Sequence, residues 1–396
     1  MFGDVSYFLG ILFILTIMYG YIKYKYGFWV IQPVFHIYDV GYMFSLPRII
    51  SPSLPEKNKY TNFSNIDTYT YSEMPTFKIN RLIHLINNNY FREKQNFFRL
   101  RDCDFTPYFK CHNAKAFISI YSEKQNLQSN DKIIKENKMI SVITSRPLTV
   151  MINNTTQKMQ FDCYYVDYLC VSSTQRKNGI APQMIQTHHY NQRHKNKNIS
   201  VSLFKREDEL TGIIPLCVYS TYGFSVDKWS KPKNPLVGKY VLLEINTHNI
   251  HTLVDFIKES SNMFDVIIDC QNLAHLIDVK SVFVYAMLCE SHIIGAFFFR
   301  KTSIFVNTTL EVLSCFASIN KCPSNDLFIA SFKHIFWKIA SDHFFGYCSV
   351  ENISHNDVVI ENLCLKSKPE VISPTAYFWY NFVYTTTPAN KVLIIT

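Results

Sequence analysis

The sequence predicts an α/β (α+β) fold in two halves, preceded by an N-terminal transmembrane helix, and three observations predict it. An uncharged apolar run, Ser6 to Ile22, opens the chain. Apolar residues recur at helical spacing at Ile79, Leu82, Ile83 and Ile86, and again from Phe328 to Ile339. Runs of β-branched and aromatic residues sit beside those stretches, before and after a Lys- and Pro-containing segment at Lys228–Lys239. A length of 396 residues suits two or three units or one large composite fold. With 47% hydrophobic and 18% charged residues, general disorder is excluded. Only 11 Gly argues against propellers and collagen, and 11 Cys without a CxxC pair fits reduced thiols better than a zinc ribbon or a disulfide framework. The formal charge of +9 points to an anionic partner: nucleic acid, a membrane surface or a phosphorylated ligand.

Taken in order, residues 1–25 read as a membrane anchor. Ser6–Ile22 sits at the short end of spanning lengths, only Asp4 precedes it, and Lys23 and Lys25 follow. The positive-inside rule then places the rest of a single-pass chain in the cytosol. Tyr26 to Val34 reads as an extended segment, since Gln32 precedes Pro33. It could pack on a core or lay Phe28 and Trp29 against a flat ring. Lys78–Asn89 is an amphipathic helix, Lys124–Lys138 a polar surface loop, and Met139–Thr144 and Met159–Ser172 are strands. A helix runs from Arg176 to the His194–Lys197 basic tract. Lys228–Lys239 divides the chain into residues 26–230 and 231–396, and Pro323-Ser324-Asn325 starts a helix over Asp326–His343. His188-His189 reads as solvated surface rather than a metal pair, and no metal is expected.

The most informative stretch is Tyr168-Leu169-Cys170-Val171, ending a strand, followed by Arg176-Lys177-Asn178-Gly179-Ile180-Ala181 at a helix start. Unpaired N–H groups and the positive dipole end suit a pyrophosphate there, with charge from Arg176 and Lys177. The chain has neither G-x-G-x-x-G nor G-K-[ST] here, and the R-x-x-G-x-A pattern resembles the pyrophosphate loop of GNAT acyltransferases.

Tyr26-Gly27-Phe28-Trp29-Val30-Ile31-Gln32-Pro33-Val34 resembles the Y-x-F-W-x-x-Q-P-V signature of protein N-myristoyltransferases. Further resemblances follow in the family's order: Leu85–Tyr90 with Asn96–Arg99, Tyr168–Val171, Ala181-Pro182, Glu351-Asn352, Tyr377–Phe382 and Lys391–Thr396. The resemblance implies two pseudo-symmetric GNAT-like halves forming one acyl-CoA N-acyltransferase fold. The first half, 26–230, would bind acyl-CoA; the second, 231–396, would contribute the peptide groove. The implied reaction transfers myristate from myristoyl-CoA, a co-substrate rather than a cofactor, to the N-terminal glycine amine of a protein.

The resemblance also implies residue roles. Backbone N–H groups of Tyr168 and Leu169 form an oxyanion hole, and the C-terminal carboxylate, on Thr396, is the base. Tyr26, Phe28, Trp29 and Arg176, Lys177, Asn178, Gly179, Ile180, Ala181 bind the acyl-CoA. Tyr90, Phe98, Asp167, Tyr380 and Asn381 bind the acceptor. A free carboxyl is about four pKa units below an α-ammonium, or about 5–6 kcal/mol against proton transfer, and burial would narrow that gap from both sides. The acceptor side departs from the family pattern. Phe91-Arg92-Glu93-Lys94 keeps one acid, Asp167 replaces Asn, and Phe204–Arg206, Ser220–Tyr222 and Lys368–Glu370 replace T-A-G, W-H-R and G-D-G. Expected partners are therefore myristoyl-CoA, Gly-initiated acceptors and, through residues 6–22, a membrane; a monomer without nucleic acid is expected. The alternatives are an acyltransferase for another acyl chain or amine, or an inactive acyl-CoA-binding membrane protein.

Overall fold

The helical spacing around Ile79 becomes the Thr76–Asn89 helix, which buries Ile79, Leu82, Ile83, Leu85 and Ile86. The second spacing becomes the Asn325–His343 helix. Its N-terminus is closed by the Ser324 hydroxyl, which accepts the Leu327 N–H at 3.2 Å. Phe328 stacks on Phe297 with ring centroids 4.4 Å apart, and Phe332 and Phe336 extend the contact to Phe299. These positions belong to a computed structural model that describes residues 2–25, 27–44, 47–90, 96–129, 132–153, 158–207, 212–227, 229–232, 238–259, 262–306 and 309–396.

One large mixed sheet takes in strands from both sides of the Lys228–Lys239 segment. The Lys132–Asn153 strand is its hub. It pairs antiparallel with Phe117–Ser129 on one side and Lys158–Val171 on the other, and its far end pairs with Phe264–Ile267. The final strand, Val392–Ile395, lies parallel to Phe264–Ile267 and is wholly buried. The Val371–Tyr380 strand lies antiparallel between Val201–Glu207 and Cys217–Ser225, so a strand from late in the chain sits between two earlier ones. Helices pack on this sheet, giving the mixed α/β class.

Several expectations change. Lys124–Lys138 is not a loop: on both sides of residues 130–131, which lie outside the described set, its backbone continues a long antiparallel ladder. A hairpin needs only main-chain hydrogen bonds, so a polar sequence hides it from a hydrophobic pattern. The segment around Trp29 is a single 3-10 turn, Trp29–Ile31, and only Gln32 is extended before Pro33; the proline restricts its predecessor alone. The helix after Arg176 begins at Ile180, because Gly179 adopts φ +73°. His188-His189 is buried rather than solvated: His188 bonds Ser119 and Ser145 hydroxyls at 2.8 and 2.9 Å. Burial holds both imidazoles down to about 3. Among the thiols, Cys103, Cys111, Cys270 and Cys364 are exposed.

The apolar N-terminal run forms the middle of a helix, Phe2–Lys25. Among the described residues no helix is long and apolar enough to cross a membrane, so the transmembrane element of the expected fold is not supported. The uncharged run Ser6–Ile22 covers roughly 25 Å at ~1.5 Å per residue, short of a ~30 Å hydrocarbon core. Its side chains from Tyr7 to Tyr21 are exposed, including Ile11, Leu12, Phe13, Ile14 and Leu15.

Candidate active site

The site begins where two strands part. Lys158–Val171 and Val201–Glu207 run parallel and pair only from Cys163–Val201 to Val166–Phe204. Just past that point the antiparallel ladder to Lys132–Asn153 slips. Thr144 faces Asp167 and Val142 faces Cys170, so Tyr168 and Leu169 together stand opposite Ile143. A bulge of this kind turns main-chain groups out of the ladder. Tyr168 takes φ +48°, and its N–H donates to the Asp167 carboxylate at 2.8 Å. The Leu169 side chain is exposed, whereas Cys170 is buried, with burial pushing its thiol up to about 11, as befits a small core residue.

The second element is the turn after this strand. Lys177 (φ +68°) and Gly179 (φ +73°) are both left-handed, the alternation that turns successive N–H groups to one side. Gly179 suits this backbone conformation, and no acid lies in the first turn of the Ile180–Lys195 helix. Lys177, Asn178 and Gly179 are exposed while Ile180 is buried. Arg176 does not project as a free phosphate ligand. Its guanidinium donates to the Asn89 and Val171 carbonyls, while the Asn89 side chain accepts the Ser173 N–H at 2.7 Å. It therefore fixes the turn against the Thr76–Asn89 helix.

A cavity of about 630 Å³ opens beside the bulge. Tyr90, Phe98, Asp167 and Tyr168 line it, and the Tyr90 ring packs on Phe98 and Tyr168 at 5.4 and 5.7 Å. A charged cluster forms its other wall. Glu351 accepts from Tyr219 at 2.6 Å, Lys205 at 3.3 Å and Arg300 at 2.5 Å. Burial alone would raise the Glu351 carboxyl, but Lys205 and Arg300 hold it down to about 2. Arg300 also reaches the main-chain oxygen of Thr396 at 3.4 Å. Thr396 is buried and stands behind Arg300 rather than on the cavity wall.

The sequence-predicted residues thus divide. Tyr168, Asp167, Tyr90 and Phe98 converge on the cavity, and Thr396 lies one layer behind it. Phe28 packs edge-on to Trp29 and Tyr60, and Trp29 stacks on Phe204 at 5.9 Å, near where the two strands part. Tyr26 lies outside the described residues, as does Glu93. Tyr380 and Asn381 do not line the cavity. The Tyr380 hydroxyl donates to Gln32, and the Asn381 amide bonds the backbone of Ser51 and Ser200, with its own N–H on the Pro33 carbonyl. Asn381, at φ +67°, therefore staples three segments together, and its polar groups are taken up by that task. Sequence reasoning missed Arg146 and Arg300. Arg146 is the one charge in Ser141–Val150, and that was its available signal; Arg300 follows the apolar run Ala296–Phe299 but is masked by the adjacent Lys301.

Residues 53–217 match the family described as Myristoyl-CoA:protein N-myristoyltransferase, N-terminal domain. The fold is similar to that of Saccharomyces cerevisiae N-myristoyltransferase with bound myristoyl-CoA, at TM-score 0.70 and 13% identity, over 94% of this chain and 99% of that one. A second structure of that yeast enzyme with myristoyl-CoA gives 0.69 and 13%, over 92% and 90%. A third, with myristoyl-CoA and inhibitors, gives 0.67 and 13%, over 93% and 94%. Comparison with curated proteins gives no match. At this identity the solved structures speak for the fold, and the matched N-terminal domain contains the strand, bulge and turn described above. Residues 53–217 thus match an N-myristoyltransferase N-terminal domain, and the chain has the fold of the yeast acyltransferase.

Proposed function

We propose that the protein transfers a myristoyl group from myristoyl-CoA to the N-terminal glycine amine of a protein acceptor. The observation that carries this reading is the Tyr168–Leu169 bulge, set where parallel strands separate and opening on the 630 Å³ cavity. Myristoyl-CoA is the ligand of the yeast structures that share the fold. The turn Arg176–Ala181 offers main-chain N–H groups to its pyrophosphate, and Phe28 and Trp29 cover the strand edge beside Phe204.

In the reaction the acceptor amine attacks the thioester carbon. The C–N bond forms, the nitrogen sheds its second proton, the C–S bond breaks, and the CoA thiolate takes up that proton as it leaves. Backbone N–H groups of the bulge stabilise the oxyanion between those events. The amine must first lose a proton, and the Thr396 carboxylate is its acceptor in this reading. Arg300 would orient that carboxylate. The exposed apolar stretch Tyr7–Tyr21, with Lys23 and Lys25 at the end of the same helix to meet anionic headgroups, would attach a monomeric chain to a membrane from its cytosolic side.

One observation favours a second reading. Asp167 occupies the Tyr168 N–H, and a carboxylate there opposes a developing oxyanion. That reading is acyl-CoA binding without transfer. Incubating the full chain with myristoyl-CoA and amidated Gly-initiated peptides, and following CoA release with peptide mass, separates the two. Acylated peptide supports transfer; bound myristoyl-CoA with no acylated peptide across the panel overturns it.

A further inference from the structure

Arg146 stands in the Lys132–Asn153 strand, directly opposite Tyr165 and two residues along from Thr144, which faces Asp167 at the bulge. At ~3.3 Å per residue, that is roughly 7 Å along the strand from the position facing the bulge. Its side chain is 4% exposed and lines the cavity. The guanidinium carbon sits 5.1 Å from both the Tyr108 and Tyr165 ring centroids, held between two aromatic faces. Nη1 is buried without a hydrogen-bond partner.

Among the described residues no acid forms an ion pair with it, although Asp167, whose carboxylate accepts the Tyr168 N–H at 2.8 Å, lines the same cavity. Lys205 and Arg300 share Glu351, and Asp104 is engaged by Arg101 at 2.6 Å. Glu207 and Glu370 also line the cavity but are exposed at its mouth. Aromatic faces offset part of the cost of a desolvated guanidinium, yet a planar fork with an idle N–H is matched best by a carboxylate.

We propose that Arg146 forms the floor of a carboxylate subsite in the acceptor half of the cavity, selecting Gly-initiated acceptors with an acidic side chain within the next few residues. This rests on the transfer reading for the identity of the acceptor, while the subsite itself is a matter of binding. The two can fail separately.

The test uses the full chain with amidated hexapeptides that begin with glycine and carry Asp, Asn or Ala at the second, third or fourth position, all other residues neutral. Acylation rates and calorimetric binding with myristoyl-CoA present are both measured. At one of the three positions, Asp is expected to exceed Asn by roughly 10- to 100-fold in kcat/KM, and in Kd if no transfer occurs. The Asp:Asn ratio should fall to about 1 in Arg146→Leu and stay intermediate in Arg146→Lys, which also serves if the leucine variant does not fold. Equal use of Asp and Asn by the unsubstituted protein overturns the proposal, as does an Asp preference that survives in Arg146→Leu. Selective binding without acylation keeps the subsite and removes the transfer reading.

Discussion

The carboxylate of Asp167 accepts the main-chain N–H of Tyr168 at 2.8 Å, and so occupies a donor that the bulge would otherwise present to the cavity. A negative charge within a few ångströms of a developing oxyanion costs on the order of 1–2 kcal/mol at intermediate dielectric. Asp167→Asn keeps the shape and removes the charge. It is expected to raise kcat for acyl transfer by about tenfold at saturating peptide, read as the rate of CoA release. An unchanged or lower kcat would show that the carboxylate does not oppose the step.

Glu351 joins Lys205, Arg300 and Tyr219 in one buried cluster. Removing its charge leaves two cations facing each other, so Glu351→Gln should cost about 3–5 kcal/mol at pH 7 in denaturant unfolding. The pH dependence has a definite sign. A carboxyl held down to about 2, against 4.5 ordinarily, contributes stability above pH ~4.5 that is lost as pH falls toward 2. The variant should lack that part of the acid transition in a series of pH-dependent melts.

Asp265 behaves oppositely. It lies on the strand beside the final strand, opposite Leu393, with Oδ2 accepting from Asn153 at 3.1 Å and Oδ1 buried without a partner. Burial raises its carboxyl to about 7, although Asn262 and Asn153 pull it down. The folded state therefore holds a proton that the unfolded chain releases near pH 4, and stability is lost as pH rises from about 4 through 7. Asp265→Asn is expected to stabilise the protein by roughly 1–3 kcal/mol at pH 8 and little at pH 4, measured by thermal unfolding at both.

Gly179 supports the turn by its left-handed backbone, and a Cβ added there would meet nothing within 4 Å. The penalty of Gly179→Ala is therefore conformational, about 1 kcal/mol or somewhat more. If the turn holds pyrophosphate, the KM for myristoyl-CoA should rise several-fold with a smaller change in Tm. Equal affinity of both forms for myristoyl-CoA would separate the turn from CoA binding.

The exposed apolar helix is tested by sedimentation with vesicles. The full chain should pellet with them, and a chain starting at residue 27 should stay in the supernatant. Equal partitioning of the two would remove the membrane role of that helix.

Much of the framework was legible because it rests on local rules. The spacing of Ile79 to Ile86 and the Ser324 start signal each specify a helix without tertiary help. The strand–turn–helix at Tyr168–Ala181 was readable from its apolar run and Gly179. Other parts depend on long-range pairing. The ladder through residues 124–138 has no alternating apolar sequence to announce it, and the burial of His188 depends on two hydroxyls, one from each of two neighbouring strands. The places of Tyr380 and Asn381 away from the cavity were hidden for the same reason: aromatic and amide side chains suit either a groove or a staple, and sequence does not show the partners Gln32, Pro33, Ser51 and Ser200. Arg146 escaped notice because its significance comes from the absence of a partner on its idle N–H, which no sequence spacing encodes.

The placement of Val371–Tyr380 between Val201–Glu207 and Cys217–Ser225 has a mechanical corollary. A protease site engineered between Asp227 and Gly238 would sever the covalent link between the halves and leave every one of those ladders in place. The nicked protein should elute from a sizing column as one body, and its two pieces should separate only once denaturant dissolves the sheet. Expressed alone, the second piece would hold that strand without its partners and the first would hold the two partners without the strand, so the pieces would have to be made together to become soluble.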